Sequence, residues 1–215
     1  MYSDNLNHIH RMTDMGLYKV VKLKRGETPL GNKRKFIEAL NSNPWLFADI
    51  HVSANINRTN NFLNKINSVV GENDNIVCLG DLMNKHTGTP EEVRRFVNGI
   101  KCKNKFLILG NHDFLKIEDY IDMGFAYVTD HAAVNINNKK VIFTHCPIPV
   151  KDDIINIHGH IHGSGKYWNM SPEGHYDVFI GTDESPDLVR YNTLLNLPDL
   201  HNDHIGGDNN EEFNE

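Results

Sequence analysis

Five short stretches of the 215-residue chain carry side chains suited to holding divalent cations. They are Asp49 with His51, Gly80-Asp81, Gly110-Asn111-His112-Asp113, His145, and Gly159-His160-Ile161-His162. Carboxylate and amide oxygens mixed with imidazole nitrogens suit manganese, iron, zinc, cobalt or nickel, whereas an oxygen-only set would indicate magnesium or calcium. In the last stretch the two imidazoles alternate, so an extended backbone aims both to one side. Seven residues, Asp49, His51, Asp81, Asn111, His145, His160 and His162, are therefore read as ligands of two cations, manganese being the first expectation. Two divalent ions bring four positive charges, and only Asp49 and Asp81 among the seven are anionic, so the centre retains roughly +2 and attracts a phosphate dianion. One carboxylate can bridge ions roughly 3.5–4 Å apart, with the water between them acidified toward hydroxide. Asp81 is the expected bridge.

Such a centre requires distant parts of the chain to meet, and the hydrophobic pattern supplies the means. Three apolar runs, residues 45–49, 76–79 and 106–109, are too short for helices and read as buried parallel strands. Each ends at one of the motifs, and ligands of open α/β sheets collect beyond the carboxyl ends of the strands. Between the first two runs, Phe62, Leu63, Ile66, Val69 and Val70 recur at helical spacing, with Gly71 expected as the stop. Between the second and third, Thr89-Pro90-Glu91-Glu92 forms a capping box that leads into Val93, Phe96, Val97 and Ile100. Beyond residue 124 the texture turns to closely spaced strands at 125–128, 132–136, 140–144, 154–158 and 177–180, with a hairpin turn expected at Asn137-Asn138. The first forty residues give no clear assignment.

The length fits one domain over residues 1–198. From residue 199 to 215, Asn, Asp, Glu and Gly replace core formers, so burial cannot offset the entropy of ordering and a flexible acidic tail is expected. A net charge of -6 and a pI near 6.1 exclude a surface that is basic throughout, as a general nucleic-acid platform would be. Lys19, Lys22, Lys24, Arg25, Lys33, Arg34 and Lys35 do cluster, and read first as a solvated face and second as a patch steering an anionic partner. The odd trio Cys78, Cys102 and Cys146 has no metal-type pairing and indicates a reducing compartment rather than a disulfide framework. No apolar run approaches the roughly 20 residues of a spanning helix, and the polar opening carries no hydrophobic signal region. A cytoplasmic protein with no membrane partner is expected.

The ordered pattern D-x-H, GD, GNHD, H and GHxH, spread over about residues 45–182, resembles the calcineurin-like metallophosphoesterase superfamily. The resemblance implies an α/β fold in which two mixed sheets form a sandwich flanked by helices, a four-layer αββα architecture. It also implies one cation on Asp49, His51, Asp81 and His162, and the other on Asp81, Asn111, His145 and His160. His112 would lie beside the attacked phosphate, stabilising the transition state or protonating the leaving oxygen. Protein serine/threonine phosphatases of this superfamily carry GDxVDRG and GNHE, whereas this chain reads Gly80-Asp81-Leu82-Met83-Asn84-Lys85-His86 and closes its third motif with Asp113. Asn84 thus replaces a carboxylate that orients the catalytic histidine, and the small phosphodiesterase branch is the better match.

The expected activity is hydrolysis of a phosphodiester, in a nucleotide or a nucleic-acid end. Phosphomonoester hydrolysis at the same site is the alternative, and a non-catalytic scaffold of the same fold ranks last. The expected partner is a small phosphorylated compound or nucleotide, nucleic acid also being compatible. His158 and Cys146 read as packing residues. His86, His131, His175, Tyr167 and Trp168 are weighed as pocket-lining groups and read as surface or core.

Overall fold

The computed structural model describes residues 30–53, 56–136, 139–151, 153–164, 173–182 and 185–196. The expectations for Lys19 to Arg25, Asn137-Asn138, Tyr167, Trp168 and the acidic tail lie outside these residues. Among the described residues no helix is long and apolar enough to cross a membrane.

Three of the strands read from the sequence form the middle of a six-stranded sheet: β2 (Trp45–Phe47), β3 (Asn75–Cys78) and β4 (Asn104–Ile108), preceded in the chain by β1 (Leu30–Gly31) and followed by β5 (Tyr127–Thr129). β2, β3, β4 and β5 run parallel, with Leu46 opposite Val77 and Val77 opposite Phe106. The short strands are added antiparallel at the edges: β1 on β5, and β12 (Val189–Arg190) on β2. At that second edge Arg190 lies opposite Trp45, its guanidinium 4.2 Å from the indole centroid and donating to the Asn43 carbonyl at 2.9 Å.

Alternation along these strands divides the core in two. Phe47, Cys78, Leu107 and Val128 face helices α2 (Ile56–Val69), α3 (Pro90–Gly99) and α4 (Ile117–Asp122), meeting Phe62, Ile66, Val93, Phe96, Val97 and Tyr120. Leu46, Val77, Phe106 and Tyr127 face the other way, onto Val134, Val141, Phe143 and Ile157 of a four-stranded sheet. That second sheet consists of β6 (His131–Ile136), β7 (Lys139–Thr144), β8 (Ile154–His158) and β9 (His175–Asp177), in that order. β6 and β7 are antiparallel, whereas β7, β8 and β9 are parallel. A two-stranded ladder of β10 (Ile180–Gly181) and β11 (Pro186–Asp187) completes the strands.

The α/β two-sheet sandwich with flanking helices is therefore the observed architecture. Among the described residues, α2, α3 and α4 cover the outer face of the six-stranded sheet, while the remaining two helices join the core between the sheets. These are α1 (Lys33–Asn41), in the stretch the sequence left unassigned, and α5 (Tyr191–Asn196). α1 starts at Asn32, whose side chain accepts from the Lys35 N–H at 3.0 Å. Its Phe36 ring lies 5.3 Å from Phe106 and 6.3 Å from Phe143, so one side chain touches both sheets. Full burial of such a ring contributes on the order of 2 kcal/mol. Lys33 and Arg34 stay exposed on the opposite side of this helix, where Arg34 pairs with Glu38 at 2.9 Å.

Three local expectations are corrected. The strand expected at 177–180 is broken, because Asp177 turns its own carboxylate onto the Phe179 N–H at 3.0 Å and the next ladder starts only at Ile180. Val69, expected on the apolar face of α2, is 46% exposed, because the buried stripe continues through Ile66 to Val70 and leaves it outside. Gly71 does follow α2 but adopts no left-handed turn; the Asp74 carboxylate holds its N–H at 2.9 Å instead.

The capping box of α3 forms as read: Glu92 Oε2 accepts from the Thr89 N–H at 2.8 Å, and Thr89 Oγ1 accepts from the Glu92 N–H at 3.3 Å. Thr89→Ala removes the second contact and is expected to lower stability by about 1 kcal/mol. Thermal denaturation of the variant measures this, and an unchanged midpoint would contradict it.

Candidate metal centre

Beyond their carboxyl ends, β2 and β3 continue as two loops stitched to each other. The Asp49 N–H donates to the Gly80 carbonyl at 3.0 Å, the His51 N–H to the Asp81 carbonyl at 2.9 Å, and Val52 bridges to Met83. The backbone bends sharply here. Asp49, His51, Asp81, His160 and His162 all have φ between 48° and 71°, and among the described non-glycine residues only Asn43 shares that region. Each such conformation costs on the order of 1 kcal/mol or more and persists where the surroundings over-determine it. The strain therefore concentrates on five of the seven residues read as ligands.

The glycines of the motifs explain how the loops approach. A Cβ on Gly80 would lie 2.6 Å from His145 Nδ1, and one on Gly159 would lie 2.6 Å from Asp49 Oδ2. A Cβ on Gly110 would press into Asp81, against both its backbone nitrogen and its carboxylate. Each glycine is thus the seat of a donor side chain supplied by a different motif. Gly80 also needs its left-handed φ of 90° to turn β3 into Asp81.

The seven side chains converge as two groups around Asp81. In the first, His51 Nε2 lies 3.4 Å from His162 Nε2 and 3.8 Å from Asp81 Oδ2, and His162 Nε2 lies 3.4 Å from Asp49 Oδ1. In the second, His145 Nε2 lies 3.2 Å from Asp81 Oδ1, 3.1 Å from Asn111 Oδ1 and 3.2 Å from His160 Nδ1. Donors bound at 2.0–2.2 Å to one cation stand roughly 3.0–3.6 Å apart. These spacings are close to that range, and the two oxygens of Asp81 face different groups.

Three of the seven are also tied to the main chain. Asp49 Oδ2 accepts from the His160 N–H at 2.8 Å, Asp81 Oδ1 from the His112 N–H at 2.8 Å, and His145 Nδ1 donates to the Leu79 carbonyl at 2.8 Å. That last bond fixes the tautomer and leaves His145 Nε2 facing the cluster. Asp49 Oδ1 is fully buried and has no hydrogen-bond partner. An orphaned carboxylate oxygen facing imidazole nitrogens is the observation that fits a cation, and the mixed oxygen and nitrogen set fits a divalent one.

Electrostatics give the same picture. Burial opposes charge on Asp81, but His145 outweighs it and holds the carboxyl well below the usual carboxylate range. Burial also opposes charge on His145, yet Asp81 and then Asp49 push it up to about 9. Burial and the neighbouring His145 hold His160 down to about 4, and burial lowers His51 despite both carboxylates. With no cation, one proton on His145 is therefore the compensating charge, and His51 and His160 remain neutral donors.

His112 lies beside the first group, its ring 4.8 Å from His51 and 6.1 Å from the exposed His86. Its backbone is fixed to Asp81, its Nδ1 is buried without a partner, and burial lowers its pKa. Asn84 does not support it, because its side-chain oxygen accepts from the His86 and Thr87 N–H groups and closes a turn. Asp113, fully enclosed, accepts from the Gly110 and Met83 N–H groups at 2.9 and 3.1 Å and ties the two motif loops together. Burial and Asp81 push its carboxyl up to about 7.

Of the remaining candidates, His158 and His175 are buried with rings 5.7 Å apart, and His131 pairs with Asp130 at 2.7 Å. Cys146, read as packing, is indeed buried, but its sulfur belongs to a cluster with ring nitrogens of His145 and His160, all within 4.8 Å of one another. Position next to His145 was the only signal for it in the sequence.

A two-sheet sandwich that gathers carboxylates and imidazoles from its strand ends defines a metal-dependent hydrolase class. The particular family is settled by the sequence match: the chain belongs to the calcineurin-like phosphoesterases, whose family model matches residues 43–212. It is a metal-dependent phosphoric ester hydrolase. No curated protein matches the chain. Among solved structures it is similar to a protein of unknown function from Aquifex aeolicus, at 19% identity over 68% of this chain and 95% of that one, with a TM-score of 0.45. It is also similar to Yfce, a phosphoesterase from E. coli, at 20% identity over 55% of this chain and 69% of that one, with a TM-score of 0.39.

Gly159→Ala drives a methyl group against Asp49 and is expected to weaken metal affinity about 10- to 100-fold, the usual effect of disturbing a ligand's support. Calorimetric titration with zinc or manganese measures this, and wild-type affinity would contradict it. A cation must also displace the His145 proton. His145 is raised from 6.5 to about 9, so its pairing stabilises the metal-free protein fully below 6.5 and is lost as pH rises through about 9. Titrations in buffers of different protonation enthalpy are expected to show about one more proton released per protein at neutral pH than well above pH 9. No release at neutral pH would remove His145 from the ligand set.

Proposed function

We propose that the chain hydrolyses a phosphodiester, of a nucleotide or a nucleic-acid end, at a centre of two divalent cations. Asp49, His51, Asp81 and His162 would hold one cation, and Asp81, Asn111, His145 and His160 the other, with Asp81 shared. The single observation that carries this reading is the pair of donor groups meeting on the two oxygens of Asp81. When bound, the cations, manganese first and iron, zinc, nickel or cobalt next, supply positive charge for the phosphate oxygens and an acidified water.

This chain's own groups do the rest. Asp49 and Asp81, anchored by the N–H groups of His160 and His112, keep the donors in register before substrate arrives. His112 faces the same space and donates to the phosphate or its leaving oxygen. The preference for a diester rests on Asn84 and His112. With Asn84 committed to a turn, no carboxylate at that position supports an imidazolium, and a neutral histidine suits the single negative charge of a diester better than a monoester dianion. A phosphomonoesterase using the same centre is the second reading, favoured by the residual charge of roughly +2.

Turnover of bis-p-nitrophenyl phosphate is compared with that of p-nitrophenyl phosphate in manganese and in nickel. The diester is expected to react, and exclusive turnover of the monoester would transfer the assignment to a phosphatase. His112→Ala is expected to keep its metal and lose about two or more powers of ten in kcat. Unchanged kcat would take His112 out of the chemistry.

A further inference from the structure

Cys146 places a soft donor at one half of this centre, and we propose that its sulfur, as thiolate, ligates the cation held by His145 and His160. The proposal rests on the two-cation reading and deepens it: sulfur joins the oxygen and nitrogen donors of the second half, and the softer set favours zinc or cobalt over manganese.

Three observations carry it. The sulfur and the ring nitrogens of His145 and His160 lie within 4.8 Å of one another. With bonds of about 2.3 Å to sulfur and about 2.0–2.1 Å to nitrogen, donors on one zinc stand roughly 3.6 Å apart in a tetrahedron and at most about 4.4 Å apart. The sulfur therefore needs to close by about an ångström or less, which a small side-chain rotation supplies. The backbone that carries it is fixed: the Thr144 hydroxyl donates to the Cys146 carbonyl at 2.6 Å, and the Gly159 N–H donates to the His145 carbonyl at 2.9 Å. The fully buried Asp49 Oδ1, which has no hydrogen-bond partner, lies 3.4 Å from His162 Nε2 and 4.0 Å from His145 Nε2, so the negative charge between the two halves calls for positive charge on this side as well.

Cys78 and Cys102 are also free and buried, but their sulfurs rest 3.8 Å from the Gly80 and Asn104 carbonyls and join no donor cluster among the described residues. Position singles out Cys146, not residue type. On coordination the thiol proton leaves to solvent, and a bound cation makes that loss favourable. No electron is transferred, and the charge of the doubly loaded centre falls from roughly +2 to roughly +1.

Cobalt(II) loading tests this without reference to turnover. The wild-type protein is expected to show visible ligand-field bands together with an intense near-ultraviolet band from thiolate-to-cobalt charge transfer. Cys146→Ser is expected to lose the near-ultraviolet band and keep the visible ones, while Cys102→Ser keeps both. In competition titrations, the preference for zinc over manganese is expected to fall at least about tenfold in Cys146→Ser. Ligand-field bands without the sulfur band in the wild type, or a sulfur band that survives Cys146→Ser, would overturn the role of Cys146 and leave the metal centre standing. Failure to take up any cobalt would overturn both. Should Cys146→Ser not fold, alkylation of the wild type replaces it: zinc is expected to protect Cys146 from iodoacetamide, and equal labelling with and without zinc overturns the proposal.

Discussion

Two carboxylates buried side by side govern this structure. Asp49 and Asp81 are both almost completely enclosed, and with His145 each presents a donor atom within 4.8 Å of the others. At that separation two negative charges repel by roughly 3 kcal/mol even at an effective dielectric of 20. Positive charge must therefore enter the cluster, as a proton on His145 or as metal. The rest of the site follows from that requirement. Imidazoles surround the carboxylates, backbone N–H groups fix one oxygen of each, and the remaining oxygens stay turned toward the place where charge is needed.

How much of this was legible in the sequence depends on what each feature leaves in the residue pattern. Short apolar runs ending in Asp49, Asp81 and Asn111 announced both the strands and the convergence of their ends, because burial on two faces demands such runs. The capping box of α3 was legible because its chemistry is local. α1 was not, since only nine residues form it and its buried stripe consists of Phe36, Ala39 and Leu40. Contacts between motifs were silent for a different reason. That Gly159 seats Asp49, or that Gly80 seats His145, is a relation between residues far apart in the chain, and spacing within one motif carries no trace of it. The approach of the Cys146 sulfur to His160 is silent in the same way, its neighbour in sequence being visible and that neighbour in space not.

The arrangement also links His112, the histidine proposed to act on the phosphate, to the charge beside it. His112 is placed by its main-chain N–H on Asp81, the carboxylate shared by both donor groups. Anything that moves Asp81 moves His112 as well. The neighbouring turn at Asn84 and the Asp113 clamp are built from side chains bonded to backbone and hold the loops that carry it. Positioning here comes from the main chain, with the rings of His51 and His86 beside the imidazole.

The antiparallel strand at the edge of the six-stranded sheet bears on how the protein is made. Val189–Arg190 closes the side of Trp45–Phe47, pairing two strands far apart in the chain. During synthesis the open rim of that early strand, with its unpaired amides and the face of Trp45, waits until the roughly 140 residues up to Arg190 have followed it out of the ribosome. The nascent protein thus carries an adhesive border over that interval, and the docking of Arg190 is the event that seals it.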